Sequence, residues 1–136
     1  MRNSHRLDLL VVGDADLDIY IRAPHPAGTG QKILGDLLGV RPGGMAANTA
    51  CAAARLGLQA GLVAPLGDDS WAEAALSYYQ AVGLDVGHVW RVPGASTYLS
   101  IVVLDAQGEK ALTVARTDAF FPGPDHLASI DGSSLN

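Results

Sequence analysis

The stretch RPGGMAANTACAAARLG, residues 41–57, decides how the chain is read. Gly43-Gly44 opens it, and the residues that follow are almost all small. Alanine is the strongest helix former, and Gly57 stands where a C′ glycine closes a helix, so the composition predicts a helix over Met45–Leu56. A helix with such small side chains can lie close against a sheet. Working outward, Leu7–Val12 is a short apolar run stopped by Gly13, which reads as a buried strand. Gln59–Pro65 is the next strand. Gly67-Asp68-Asp69 forms a turn in which either aspartate can cap the following helix. That helix places Trp71, Ala75, Tyr78 and Val82 at i, i+4, i+7 and i+11, one apolar face, and Gly83 ends it. Val86–Val92 is a short strand. A β-α-β-α-β order favours an α/β layer architecture with a parallel sheet.

The remaining segments are of another kind. Pro24, Pro26, Gly28 and Gly30 mark a loop, and Gln31–Val40 has β-type residues interrupted by Gly35 and Gly39, which suits an irregular strand or flap. Thr97–Leu104 and Lys110–Ala115 flank Asp105-Ala106-Gln107-Gly108-Glu109, a hairpin signal. Together the hairpin and the flap form an appended lid. The final residues, PGPDHLASIDGSSLN (122–136), are polar and are expected to fray.

Composition excludes several functions. The 136 residues suit one domain, and 49 % hydrophobic with 17 % charged residues is incompatible with intrinsic disorder. A net charge of −5 with no basic cluster argues against a nucleic-acid partner. Cys51 is a single cysteine, so neither an internal disulfide framework nor a Cys-based zinc cluster can form. MRNSHRLD lacks the apolar core of a signal peptide, and no apolar window is long enough to span a bilayer. These features predict a cytoplasmic protein with no membrane partner.

Two groups of residues offer chemistry. Asp14, Asp16 and Asp18 alternate directly after the first strand. A calcium loop of the EF-hand type would need Gly at position six and Glu at position twelve, where Ile19 and His25 stand. A strand followed by Asp-x-Asp also occurs in haloacid-dehalogenase phosphatases, but Gly13 intervenes and the Gly-Thr continuation is missing. Carboxylates at the C-terminal end of a parallel strand can accept hydrogen bonds from sugar hydroxyls, since α/β sheets bind ligands there. A solvated acidic loop is the alternative. Gly43-Gly44 is the second group: two glycines permit close approach to the backbone, and a helix N-terminus presents N–H groups to hydroxyls or anions. Asn48 falls within the first turns and can face the same space, or it can be a buried asparagine satisfied by backbone. Gly28-Thr29-Gly30-Gln31-Lys32 has the wrong spacing for a P-loop, and there is no Gly-x-Gly-x-x-Gly or Gly-x-Ser-x-Gly. Histidines 5, 25, 88 and 126 show no metal or triad spacing. Cys51, among alanines, reads as a small buried hydrophobe.

From Leu7 to Pro122 the chain resembles the PfkB-type carbohydrate kinases, the ribokinase-like family. The resemblance rests on VVGDADLD (11–18), on RPGGMAANTACAAARLG, on PLGDDSWAEAALSYYQAVGLDVGHV (65–89) and on STYLSIVVLDAQGEKALTV (96–114), in the family's order and spacing. It implies a three-layer α/β sandwich with a mostly parallel central sheet and a small β lid near residues 17–42 and 95–116. The implied activity is transfer of the ATP γ-phosphoryl to a hydroxyl of a sugar or nucleoside, with Mg²⁺. Asp16, Asp18, Gly43, Gly44 and Asn48 fall on the family's substrate positions, and Leu99 and Ile101 on the lid strand that closes over the sugar. A closing lid excludes water, which would otherwise hydrolyse ATP. Lid strands in the family also form dimer contacts.

The departures bear on activity. Relatives often have Asn at the position of Asp16. Arg116 and Asp118 stand where a small residue and Asn are common, so Arg116 can touch a charged substrate or be solvated. The family's second signature, Asp-Thr-x-Gly-Ala-Gly-Asp, which holds the catalytic base and the anion hole, is not in this sequence. Loss of a general base alone costs ~10²–10⁴-fold. The chain therefore reads as the N-terminal, substrate-binding part of such an enzyme, truncated before the ATP-binding part. No metal site, no catalytic residue and no cofactor bound by the chain alone are expected. A non-catalytic sugar-binding or dimerisation module is the alternative. Ribose, fructose, other ketoses, sugar acids and nucleosides remain equally open as substrates.

Overall fold

A computed structural model describes residues 6–134. Two sheets carry the architecture. The first holds β1 (Leu9–Val12), β4 (Ala60–Leu66) and β5 (Asp85–Arg91), all parallel, in the order β1-β4-β5. The second holds β2 (Asp16–Arg22), β3 (Asp36–Gly43), β6 (Leu99–Leu104) and β7 (Lys110–Ala115), in the order β3-β2-β6-β7. In it β2 and β6 are parallel and the outer pairs antiparallel. Helices α1 (Met45–Arg55) and α2 (Ser70–Ala81) complete the α/β core.

The central strand β4 is buried along its whole length. One of its faces, Ala60, Leu62, Ala64 and Leu66, meets Ala46, Ala47, Ala50, Cys51 and Ala53 of α1 and Ala72, Ala75 and Tyr79 of α2. The alanines let α1 sit close, and Cys51 is one more small core residue. Pro65 is tolerated in this strand for a specific reason. Val63 O accepts from Gly13 N on the β1 side, and Leu66 O accepts from Val92 N on the β5 side. By alternation Pro65 faces β1, whose last partner is Val63, so no ladder bond is lost there.

The buried face of α2 is Ala72, Ala75 and Tyr79, with Tyr78 and Val82 packed at its edge; of the expected face, Trp71 is turned outward, 37 % exposed. Asp69, not Asp68, caps the helix, its Oδ1 accepting from Ala72 N at 3.0 Å. The flap residues pair as β3 only from Asp36 onward, with a bulge between Tyr20 and Ile21 that absorbs one residue of β3.

The tail is more ordered than its composition predicts. Pro124–Ala128 forms a short helix, α3, with Pro124 in its first turn, where a missing N–H costs nothing. His126 stacks on Trp90 of β5 with ring centroids 4.0 Å apart and planes within 9°. The stack holds the segment against the sheet face opposite α1 and α2, leaving a hollow of about 280 Å³ lined by Val63, His88 and Ile130. His5 lies outside the described residues.

Candidate functional site

The three aspartates after β1 do three different things. Asp14 is structural: its Oδ1 accepts from Ala46 N at 3.0 Å and its carbonyl from Ala47 N at 3.2 Å. The N-terminus of α1 therefore does not offer those donors to a ligand, contrary to the expectation from Gly43-Gly44. Gly44 has φ +93°, and a Cβ there would lie 2.7 Å from the Asp14 carbonyl. It is glycine so that the helix can start against this loop.

Asp16 and Asp18 share one face of β2. A side chain on Gly43, the cross-strand neighbour of Asp16, would collide with Asp16 Oδ1 and Asp18 Oδ2 together. The two carboxyl groups thus converge on the space that the missing side chain leaves. Asp18 Oδ2 accepts from Tyr20 Oη at 3.1 Å, and Arg41, opposite Asp18, lies over the Tyr20 ring at 5.8 Å. Asp16 is 5 % exposed. Its Oδ2 accepts from Ser100 Oγ at 3.2 Å, while its Oδ1 is buried without a hydrogen-bond partner. Burial first, and then the Asp18 charge, push its pKa from the ordinary 3.8 up to about 7, against the opposing pull of the Ser100 hydrogen bond.

This has a measurable consequence. Between pH 4 and 7 the folded chain keeps the Asp16 proton and the unfolded chain releases it, so unfolding gives up a proton and stability falls as pH rises. Above about pH 7 this contribution is flat. Urea midpoints measured from pH 5 to 8 should show the decline in the native chain. Asp16→Asn should remove it and be the more stable protein at pH 8, by on the order of 1 kcal/mol. An identical slope in both chains would refute the assignment.

The other sequence candidates fall as follows. Asn48 is exposed on α1 and is not the buried, backbone-satisfied asparagine that was one reading; its backbone N–H bonds to Gly44 O at 2.9 Å. Leu99 and Ile101 lie on β6, but the Ser100–Asp16 bond shows which way the strand faces. Alternation turns Leu99 and Ile101 away from the aspartates and brings Ser100 and Val102 toward them. A hollow of about 270 Å³ lined by Tyr98, Val114, Arg116, Thr117 and Phe120 lies on that same side, since Val114 pairs with Ser100. Tyr98 and Phe120 form its aromatic wall, edge to face at 4.7 Å. Arg116 is exposed at its rim. Composition gave no hint of Ser100 or Tyr98. The alternation of β6 did carry them, once its inner face was known.

A pfkB family carbohydrate kinase model matches residues 6–131. The chain belongs to that family. It is 30 % identical over 109 residues to a ribokinase of Bacillus subtilis (strain 168), covering 80 % of this chain and 37 % of that protein. Among solved structures it resembles ribokinase from Cryptococcus neoformans var. grubii in complex with ADP. That match has a TM-score of 0.75 and 28 % identity, over 87 % of this chain and 38 % of the other. Arabidopsis thaliana ribokinase complexed with ribose and ATP matches at TM-score 0.70 and 25 % identity, over 80 % and 36 %. The family kinship and these neighbours establish the ribokinase-like α/β fold. The chain spans little more than a third of the length of these relatives.

Among the described residues no three His, Cys, Asp or Glu side chains are placed to hold a metal ion. The N-terminal donors of α1 nearest the aspartates are taken by Asp14. Among the described residues no helix is long and apolar enough to cross a membrane.

Proposed function

We propose that this chain is the sugar-binding part of an ATP-dependent, cytoplasmic carbohydrate kinase and does not turn over ATP by itself. The observation that carries the reading is the convergence of Asp16 and Asp18 on the position that a side chain at Gly43 would take. Paired carboxyl groups beside a glycine suit the closely spaced hydroxyls of a neutral sugar, which bring several donors to one small area. Ribose is favoured as the first ligand to try, because ribokinases are among the chain's relatives. In this reading the second sheet is the lid, and its strands supply one wall of the site through Ser100 and Val102. Gly43, Gly44 and Asn48 border the site from the α1 side. Phosphoryl transfer depends on positioning a base and stabilising charge on the transferred group, and no residue gathered around Asp16 is given either role in this reading.

Isothermal titration of the purified chain with D-ribose and D-fructose, beside an ADP-release assay, tests both halves. Saturable binding of one sugar with no sugar-dependent ADP release is the expected result. Sugar-dependent release at enzymatic rates would overturn the inactive reading, and no binding of either sugar, or of a nucleoside, would overturn the site.

A second reading, a module that pairs with another copy through the lid, is favoured by the outer face of that sheet. Val40 at 39 % and Ile101 at 42 % exposure are neighbours across Ile19 on the face away from the aspartates. An exposed apolar patch of this kind suits a symmetric contact. Sedimentation of the native chain and of Ile101→Asp decides it: a dimer abolished by the substitution is expected, and a monomer at every concentration removes the reading.

A further inference from the structure

The hollow walled by Tyr98 and Phe120 is the part of the lid's inner face that a free sugar would leave unfilled. It lies directly beside the carboxyl pair. Leu17 N–H donates to the Tyr98 carbonyl at 3.0 Å, so Tyr98 stands next to Asp16, one strand over. Burial first, and then the charges of Asp16, Asp14 and Asp18, raise the pKa of its phenol. Val114 on β7 and Arg116 just beyond it follow, a second strand over. Neighbouring strands lie about 4.8 Å apart, so the hollow begins about one strand spacing from Asp16 and ends about two away.

Its walls are held from behind. Thr117 Oγ1 donates to the Ser96 carbonyl and accepts from Ala119 N at 3.1 Å, and the fully buried Ala119 bridges Thr97. These bonds fix Phe120 against Tyr98, edge to face at 4.7 Å. Phe120 and Val114 are nonetheless 44 % and 42 % exposed. A hollow of about 270 Å³ that shows two aromatic rings and a valine suits a flat group with apolar faces. Sugar hydroxyls placed there would lose water for few partners, since the Thr117 hydroxyl is already engaged. Arg116 adds donors at the rim and no acceptor. It makes no ion pair among the described residues, but it is exposed and stands two residues from Asp118, a weak hold on an anion in water. We infer that the substrate of this site is a nucleoside, with its ribose hydroxyls at the carboxyl pair, chiefly at the more exposed Asp18, and its base in the hollow against Phe120 and Tyr98. Arg116 meets acceptor atoms on the edge of the base. A pentose alone covers only the first strand spacing; the base at its C1 covers the second. The ribose half of this inference rests on the sugar-binding reading above, whereas the base half rests on the hollow.

The experiment is calorimetry of the native chain with adenosine, uridine, D-ribose and D-gluconate, beside NMR of the methyl-labelled chain, with Val114→Ile identifying the Val114 signals. Adenosine should bind at least tenfold more tightly than D-ribose, with uridine between them. Stacking a base on an aromatic ring is worth about 5- to 150-fold in affinity. Phe120→Ala should therefore remove most of the adenosine advantage and leave D-ribose binding as it was. Phe120→Leu, which keeps apolar bulk but no ring, should do the same if Phe120→Ala does not fold. Adenosine, and not D-ribose, should shift the Val114 methyl signals through the ring current of the base. Adenosine binding no tighter than D-ribose, or indifferent to residue 120, overturns the inference and leaves the sugar reading standing. D-gluconate binding more tightly than adenosine, and lost in Arg116→Gln, overturns it in favour of a sugar acid. Adenosine binding that depends on Phe120 but is unchanged in Asp18→Ala upholds the base in the hollow and removes the sugar reading instead.

Discussion

Asp69→Ala should destabilise the chain by about 2–4 kcal/mol, the sum of a lost helix cap and newly orphaned buried donors. Asp69 Oδ1 accepts from Ala72 N at 3.0 Å and from Thr97 Oγ1 at 2.5 Å, while Oδ2 accepts from Thr97 N at 2.7 Å. Burial alone would raise its pKa, but the Thr97 and Ala72 hydrogen bonds and the Arg91 charge outweigh burial and lower it. Thr97 is fully buried. Its N–H and hydroxyl would have to find other partners in a space that water does not reach. Urea unfolding of both chains measures the loss. Asp69→Asn sharpens the test: its carbonyl oxygen can still cap α2, but its NH₂ would then face the Thr97 N–H, donor against donor. It should recover about 1 kcal/mol of the loss and no more. Full stability in Asp69→Asn would mean that the cap, and not the bond to Thr97, is what matters.

The reason that bond matters is where it lies. Asp69 stands between β4 and α2, in the layer of the first sheet, and Thr97 leads into β6 of the second. Gly67 reinforces the junction: its N–H bonds to Thr97 Oγ1 at 3.2 Å, and a side chain on it would strike the backbone of Ser96 and Thr97. Arg91 ties the same loop to β5 through Gly67 O at 2.5 Å and Asp69 O at 3.0 Å. Gly-Asp-Asp is thus a pin between the two sheets, and it sets the height of β6, and so of Ser100, above Asp16.

Residues 41–57 made the α/β class legible because alanine periodicity and a closing glycine are local signals. Of the face expected for α2, Ala75 is in the core and Tyr78 and Val82 pack against its edge, whereas Trp71 turns outward. The deepest positions beside β4 go to Ala72, Ala75 and the ring of Tyr79, a rotation of the face toward smaller residues that side-chain size alone does not suggest. The tail was misread for a related reason: the Trp90–His126 stack that orders it joins residues far apart in sequence. Asp16, Asp18 and Gly43 could be named as candidates from the sequence because a motif groups them, and the fold brings the three together. Ser100 could not, since its role depends on which face of β6 turns inward, and that is settled by the pin at Thr97 rather than by anything in residues 99–104.

Gly43→Ala should weaken sugar binding by at least 100-fold, a larger effect than its cost to stability. Gly43 is not at positive φ, so alanine is compatible with its backbone; what changes is the space. The new methyl would occupy the point on which Asp16 Oδ1 and Asp18 Oδ2 converge and drive both from it. Two hydrogen bonds involving charged or acidic groups, at about 1.5–3 kcal/mol each, account for a loss of that size. Asp18 is part-exposed and can swing outward, whereas Asp16 is buried and held by Ser100, so its displacement is what the fold must absorb. Gly44→Ala is the contrasting case. At φ +93°, with the Asp14 carbonyl 2.7 Å away, it strains the start of α1 and should lower stability and binding together. Calorimetry with D-ribose and urea unfolding on both variants separate the two effects. If Gly43→Ala binds sugar as the native chain does, the space between the two aspartates is not where the ligand sits, whatever else the fold resembles. If binding collapses in Gly43→Ala while the unfolding midpoint falls by less than in Gly44→Ala, the absent side chain is the site, and the two carboxyl groups are arranged around it.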